Sequence, residues 1–372
     1  MSPRRTWRHL MAAMGAILGL VLVGLPAGAA SPLPPWTAGA DRYATSVEIS
    51  RQAFPDGAST VFLARGDSFP DALAAGAAAA SNAGAQGAPV LLTRRDEIPP
   101  VVLNEIKRLA PSTTVILGGT SAISQGVELE VATVSTLIRL DGPNRYATAV
   151  RVAEWAFDKG PHVVRPRTVH LASGVDFPDA LGGGVAAALG DGTLGAPGGP
   201  LLLTEPGVLT AETAAYLQRL RPDRIVLLGG EAAISPAVAT RAEAIAPVTR
   251  LSGPDRYVTS AVISQRTFET AGTVFLADGN NFPDALAGTP LAVRHRGPIL
   301  LTQRGTLDPA VCAEIKRLGP ARIVALGGPQ AVPLQARAAA QNCAGIIAGP
   351  PSLTPAPEPT IGPPSPAPAS RP

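Results

Sequence analysis

Aromatic side chains make up only 4% of this 372-residue chain, and it holds just two cysteines and four histidines. With so few large rings, the core has to be built from small and aliphatic residues. The abundance of Gly and Pro, 39 of each, beside 46% hydrophobic residues suits a globular protein with close small-residue packing, not a disordered chain. His9, His162, His170 and His295 are scattered, which excludes a repeated His-based triad and any zinc-ligand spacing. Gly-x-Ser-x-Gly elbows and Walker loops are also missing. The reading therefore carries no cofactor, no metal and no catalytic residue.

Long apolar runs are missing beyond the first thirty residues. There, Arg4, Arg5 and Arg8 precede the uncharged stretch from Leu10 to Leu25, and Ala27-Gly28-Ala29-Ala30 follows. This is the pattern of a secretory signal peptide at residues 1–30, cut near Ala29 or Ala30. The alternative, a membrane anchor, would need a run of roughly 20 residues. Losing three of the 31 basic residues leaves 28 against 28 acidic ones, a formal net charge of zero. A basic field that collects nucleic acid is thereby excluded, and no membrane contact is expected after cleavage. In an exported chain, Cys312 and Cys343 are read first as a disulfide and otherwise as two buried thiols.

What the chain does have is repetition. Asp41-Arg42-Tyr43-Ala44-Thr45 recurs as Asn144-Arg145-Tyr146-Ala147-Thr148 and as Asp255-Arg256-Tyr257-Val258-Thr259. Phe69-Pro70-Asp71-Ala72-Leu73 recurs unchanged from Phe177 and from Phe282, placing Asp179 and Asp284 opposite Asp71. Pro89 to Thr93 recurs at Pro200 to Thr204 and Pro298 to Thr302. Leu117-Gly118-Gly119 recurs as Leu228-Gly229-Gly230 and Leu326-Gly327-Gly328. Four motifs in one order, three times over, delimit repeats at residues 31–135, 136–246 and 247–348, before a Pro-rich, disordered tail at 349–372.

Each copy reads as an α/β unit. Thr60 to Ala64, Val90 to Leu92, Thr114 to Leu117 and Val134 to Leu140 have the apolar character of strands. Tyr43 to Ala53, Pro70 to Ala80 and Pro100 to Leu109 read as helices between them. The alternation predicts a small parallel sheet flanked by helices in each of three tandem modules. The first copy has Trp36-Thr37-Ala38-Gly39 where the others have Arg139-Leu140-Asp141-Gly142 and Arg250-Leu251-Ser252-Gly253. Its leading strand is therefore weak, and exchange of this strand between copies is one outcome.

In a parallel sheet the recurrent motifs would all follow strands and share the carboxyl edge, where open α/β sheets bind ligands. The candidate ligand-binding residues are Arg42, Tyr43, Asp71, Gly118 and Gly119, then Arg145, Tyr146, Asp179, Gly229 and Gly230, then Arg256, Tyr257, Asp284, Gly327 and Gly328. The arginines offer two parallel hydrogen bonds to a carboxylate or phosphate. The glycine pairs let backbone N–H groups approach a ligand, and the tyrosines offer a ring face. Each also has a structural role open to it: a capping Asp or Asn, an Arg bracing Asp71, a Pro-Asp helix start, a Gly turn.

These motifs, together with Ala122-Ile123-Ser124, resemble the cell wall binding repeat type 2 family across residues 39 to 345. The resemblance implies modules in threes, arranged as a compact pseudo-threefold ring, that hold secreted proteins noncovalently on Gram-positive cell walls. The implied partner is an anionic wall polymer, a secondary polysaccharide or a teichoic-acid-like chain. Val258 and Pro333 depart from the pattern, so equivalence of the three sites is not implied. Two rivals remain. One is a wall-acting hydrolase using the Phe-Pro-Asp loops, although Asp67 has no acidic counterpart fixed in the other copies. The other is a surface adhesin anchored by the repeats.

Overall fold

The computed structural model describes residues 33–68, 71–82, 87–158, 165–176, 178–190 and 198–346. The expected signal peptide and Pro-rich tail lie outside the described residues, as do Phe69, Pro70 and Phe177. The chain opens with a two-residue strand, β1 (Trp36–Thr37), and helix α1 (Arg42–Ala53). Eleven further strands follow among the described residues: β2 (Thr60–Arg65), β3 (Val90–Thr93), β4 (Thr113–Leu117), β5 (Thr136–Leu140), β6 (Thr168–Ser173), β7 (Leu201–Thr204), β8 (Arg224–Leu228), β9 (Val248–Leu251), β10 (Thr273–Asp278), β11 (Ile299–Thr302) and β12 (Arg322–Leu326). They form three four-stranded sheets in the orders β3-β2-β4-β5, β7-β6-β8-β9 and β11-β10-β12-β1, and every pairing is parallel.

Helices cover these sheets. In chain order they are α2 (Ala75–Asn82), α3 (Pro100–Leu109), α4 (Gln125–Val131), α5 (Arg145–Ala153), α6 (Pro178–Leu189), α7 (Ala211–Leu220), α8 (Pro236–Glu243), α9 (Arg256–Thr267), α10 (Pro283–Arg294), α11 (Pro309–Leu318) and α12 (Leu334–Cys343). A π-helical turn, Glu154–Asp158, extends α5. The central strands are buried along their length, from Val61 to Ala64 and from Val274 to Ala277 for example, as sheets covered on both faces require. Each fully buried Leu or Val contributes on the order of 1.5–3 kcal/mol.

The sheets do not follow the sequence repeats. The strand that leads into the second copy, β5, completes the first sheet, and β9 likewise completes the second. The weak leading strand of the first copy, β1, pairs with β12, Trp36 beside Ala325 and Thr37 beside Leu326. The exchange that the sequence left open is thus present. Local chemistry adapts to it. In the first sheet Arg139 on β5 pairs with Glu128 of α4 at 2.7 Å. In the third, Trp36 occupies the place of Arg139, and the cation comes from α12, with Arg337 stacked 4.3 Å over the indole. Cys312 of α11 and Cys343 of α12 form a disulfide with a Cα separation of 5.5 Å.

Helices α2, α6 and α10 each pack on the other two. They meet through the same position of the repeat, Gly76, Gly184 and Thr289. A Cβ built at Gly76 would lie 3.0 Å from Thr289 Cβ, and one at Gly184 would lie 3.3 Å from Thr289 Oγ1. Only small residues fit there, which is the physical basis of the aromatic-poor composition.

Candidate functional site

All four strand ends of each sheet lie at one carboxyl edge, because the strands are parallel. The recurrent motifs occupy the loops that leave it. Asp41, Asn144 and Asp255 cap α1, α5 and α9, accepting hydrogen bonds from Ala44 N at 2.8 Å, Ala147 N at 2.8 Å, and Tyr257 N and Val258 N at 2.9 Å. The Thr of each motif fixes the loop before it: Thr45, Thr148 and Thr259 accept from Gly39 N, Gly142 N and Gly253 N. The tyrosines lie on the glycines that follow β2, β6 and β10. A Cβ at Gly66 would come within 2.7 Å of the Tyr43 ring, and at Gly174 within 2.5 Å of Tyr146. Tyr146 and Tyr257 are buried, so packing rather than an open ring face describes their position.

The arginines bridge between copies. Arg42, Arg145 and Arg256 donate to the carbonyls of Gly66, Gly174 and Gly279, within their own repeat. Their charge acts on the Asp of the repeat before. Arg145 lowers Asp71, Arg256 lowers Asp179, and Arg42 lowers Asp284. The guanidinium whose charge lowers Asp71 is therefore that of Arg145, from the next copy. Each Asp also closes on a glycine pair. Gly118, Gly229 and Gly327 have φ of 87°, 103° and 91°, and a Cβ there would collide with the Asp71, Asp179 or Asp284 carboxylate. Three composite clusters result: Asp71 and Gly118 with Arg145 and Thr148, Asp179 and Gly229 with Arg256 and Thr259, and Asp284 and Gly327 with Arg42.

Burial governs the electrostatics. It pushes the Asp179 carboxyl up to about 6, Asp176 adds to the rise, and Arg256 and Thr259 draw it partly back. It pushes Asp284 up to about 6 as well, opposed by Arg42 and reinforced by Asp278. Asp71 is raised by burial too, with Thr148 and Arg145 lowering it and Asp141 raising it. The N–H groups of Gly118, Gly229 and Gly327 are taken by Leu140 O, Leu251 O and Thr37 O, so the carboxyl groups and guanidinium groups are what such a cluster offers to anions or hydroxyl-rich ligands.

Some contributors escaped the sequence reading. Arg139 and Arg250 donate to Gly118 O at 2.7 Å and Gly229 O at 2.8 Å, fixing the glycine turns from the strand alongside. Their signal was the shared Arg-Leu-x-Gly before each later Arg-Tyr. His170 stands where the other copies have Phe62 and Phe275; it is buried, its Nδ1 has no partner, and burial with the Arg224 charge holds it down to about 4. In the first and third units Glu105 and Glu314 are buried and bound by Ser50 with Arg108 and by Ser264 with Arg317. In the second, Tyr216 takes that place and its hydroxyl reaches Asp158 at 3.3 Å.

A family model described as Cell wall binding domain 2 (CWB2) matches residues 37–128, 139–239 and 250–336. Among curated proteins, the chain is similar to N-acetylmuramoyl-L-alanine amidase LytC of Bacillus subtilis (strain 168). They are 28% identical over 292 residues, covering 78% of this chain and 54% of that one. It is also similar to Amidase enhancer of the same organism, 28% identical over 275 residues, with 73% and 35% covered. The chain thus spans about a third to a half of the length of these relatives. Two solved structures share the fold. Cwp6 from Clostridium difficile aligns with a TM-score of 0.71 at 24% identity, covering 79% of this chain and 45% of that one. Cwp8 from Clostridium difficile aligns with a TM-score of 0.73 at 24% identity, covering 84% and 52%.

Proposed function

Because the chain belongs to the cell wall binding domain 2 family, we propose that it is exported and held noncovalently on a bacterial wall by an anionic wall polymer. The observation that carries this reading is the composite cluster, formed three times where the charge of an Arg in one repeat acts on the Asp and glycine turn of the repeat before. Each cluster pairs one guanidinium with one carboxyl group, so one alone would hold a polymer loosely. A chain that itself repeats engages several at once, and effective concentration supplies the retention. Among the described residues no helix is long and apolar enough to cross a membrane.

A pull-down on purified walls tests this. The change of Arg42, Arg145 and Arg256 to Ala lowers retention at least ten-fold while the thermal transition stays cooperative. Retention by the unaltered chain falls as salt is added, as screening of exposed ion contacts demands. Undiminished retention by a folded triple variant rules out the role given to the arginines. The rival, cleavage of wall polymer, draws on the amidase names of the Bacillus relatives; release of soluble fragments from the same walls would favour it.

A further inference from the structure

The three edges differ in what fills the space above them. In the first unit Arg65 after β2 pairs with Asp67 and reaches Ser121 O at 3.4 Å, and Arg95 after β3 donates to the same carbonyl at 3.0 Å. Two long side chains thus tie the three loops together and lie across the edge. In the third unit Arg304 spans the matching gap to Asp278 at 3.3 Å, and Gln330 stands at the position of Ser121. The second unit has Ser173, Pro206 and Ala232 at those three positions. None can cross the gap. Ser173 folds back to accept from Val175 N at 3.2 Å. An open groove of about 310 Å³ remains, and its wall continues onto Arg256 and Thr259 of the third repeat.

We propose that this groove is a subsite for one uncharged sugar unit carrying an apolar acyl group, such as an N-acetylated hexosamine within the polymer. The proposal rests on the wall-polymer reading above and narrows it. Val175, Pro206 and Ala232 give the groove an apolar side, and Val175 is 58% exposed. That side suits a methyl group and the carbon face of a ring. The polar side holds Asp176 and Asp179 with Arg256. The Asp176 and Asp179 carboxylates offer acceptors to sugar hydroxyls, while Arg256 at the groove's end serves the charged unit next along the polymer. The volume is at the small end of the range of roughly 300–1,000 Å³ for ligand pockets, which fits one unit of a longer chain. A neutral unit seated in the groove then sets register along the polymer.

The test is saturation-transfer NMR on the intact chain with a neutral N-acetylglucosamine disaccharide, the corresponding glucose disaccharide and glycerol phosphate as probes. Transfer is expected at the acetyl methyl, with binding at least five-fold tighter than for the glucose disaccharide. The double change Ser173→Arg with Pro206→Arg, which imports the side chains of the first unit, lowers that affinity at least ten-fold. Ala232→Gln, at an exposed position, lowers it at least three-fold and keeps the test decisive if the double variant does not fold. Equal binding of both disaccharides, preference for glycerol phosphate, or unchanged affinity in the folded variants overturns the proposal. Wild-type chain that binds walls but no disaccharide sinks this inference alone; failure to bind walls sinks the wall reading instead.

Discussion

At the scale of single residues, the buried aspartates set a pH response. Asp179 and Asp284 are pushed up to about 6 by burial. Below that value each is protonated, and the charge around Arg256 and Arg42 becomes more positive, which favours an incoming anion. Above it the carboxylate competes. Retention on walls is therefore expected to rise several-fold from pH 7.5 to pH 5, measured as bound fraction at fixed ionic strength. Asp179→Asn with Asp284→Asn holds the low-pH behaviour across the range. Stability moves with the same sign. A folded-state value above the unfolded one means the native chain keeps protons that the unfolded chain releases, so this contribution is complete below about pH 4 and declines as pH rises toward 6, by up to ~1.4 kcal/mol per unit for each group. The double Asn variant should accordingly melt higher than the parent at pH 7.5. A flat pH profile in the parent would contradict the assignment.

At the scale of elements, the end of the chain secures its beginning. The disulfide fixes α12 to α11, and α12 places Arg337 over Trp36 of β1. Closing a 31-residue loop is worth ~3–4 kcal/mol by the chain-entropy account. Cys312→Ala with Cys343→Ala should lower the melting midpoint and speed hydrogen exchange at Ala325 and Gly327, whose N–H groups bond to Pro35 O and Thr37 O, with little effect at Val115 and Ile116. Uniform exchange across all three sheets would refute this local coupling. Elements of this kind were largely legible in the sequence. The strand expected from Thr60 ends at Arg65, and the helix expected from Pro100 to Leu109 is found with those bounds. The helix expected from Pro70 begins only at Ala75, after turns at residues 71–74. The site was legible as a set of motifs but not as pairs. Which Arg meets which Asp depends on strand order, and periodicity within a copy carries no information about the sheet that its first strand joins. The weak Trp36-Thr37 strand was the one local hint.

At the scale of the whole molecule, three helices meet where no side chain larger than Thr289 is accommodated. Gly184→Val places methyl groups against Thr289, where even a Cβ stands at 3.3 Å. Overpacking of this kind costs ~1–3 kcal/mol. The expected result is a lower melting midpoint for the entire chain in a single transition, because α2, α6 and α10 each rest on the other two. Loss of structure confined to the second unit, seen as a separate early transition, would argue that the units unfold independently.

The pairing of β1 with β12 also orders events in time. The first described strand to leave a ribosome or a translocation channel has its partner among the last. The third sheet cannot be completed until nearly the whole chain has emerged, and contacts so distant in sequence form slowly. If the chain is exported as proposed, its third sheet stays open, and the chain threadable, for as long as it is in transit.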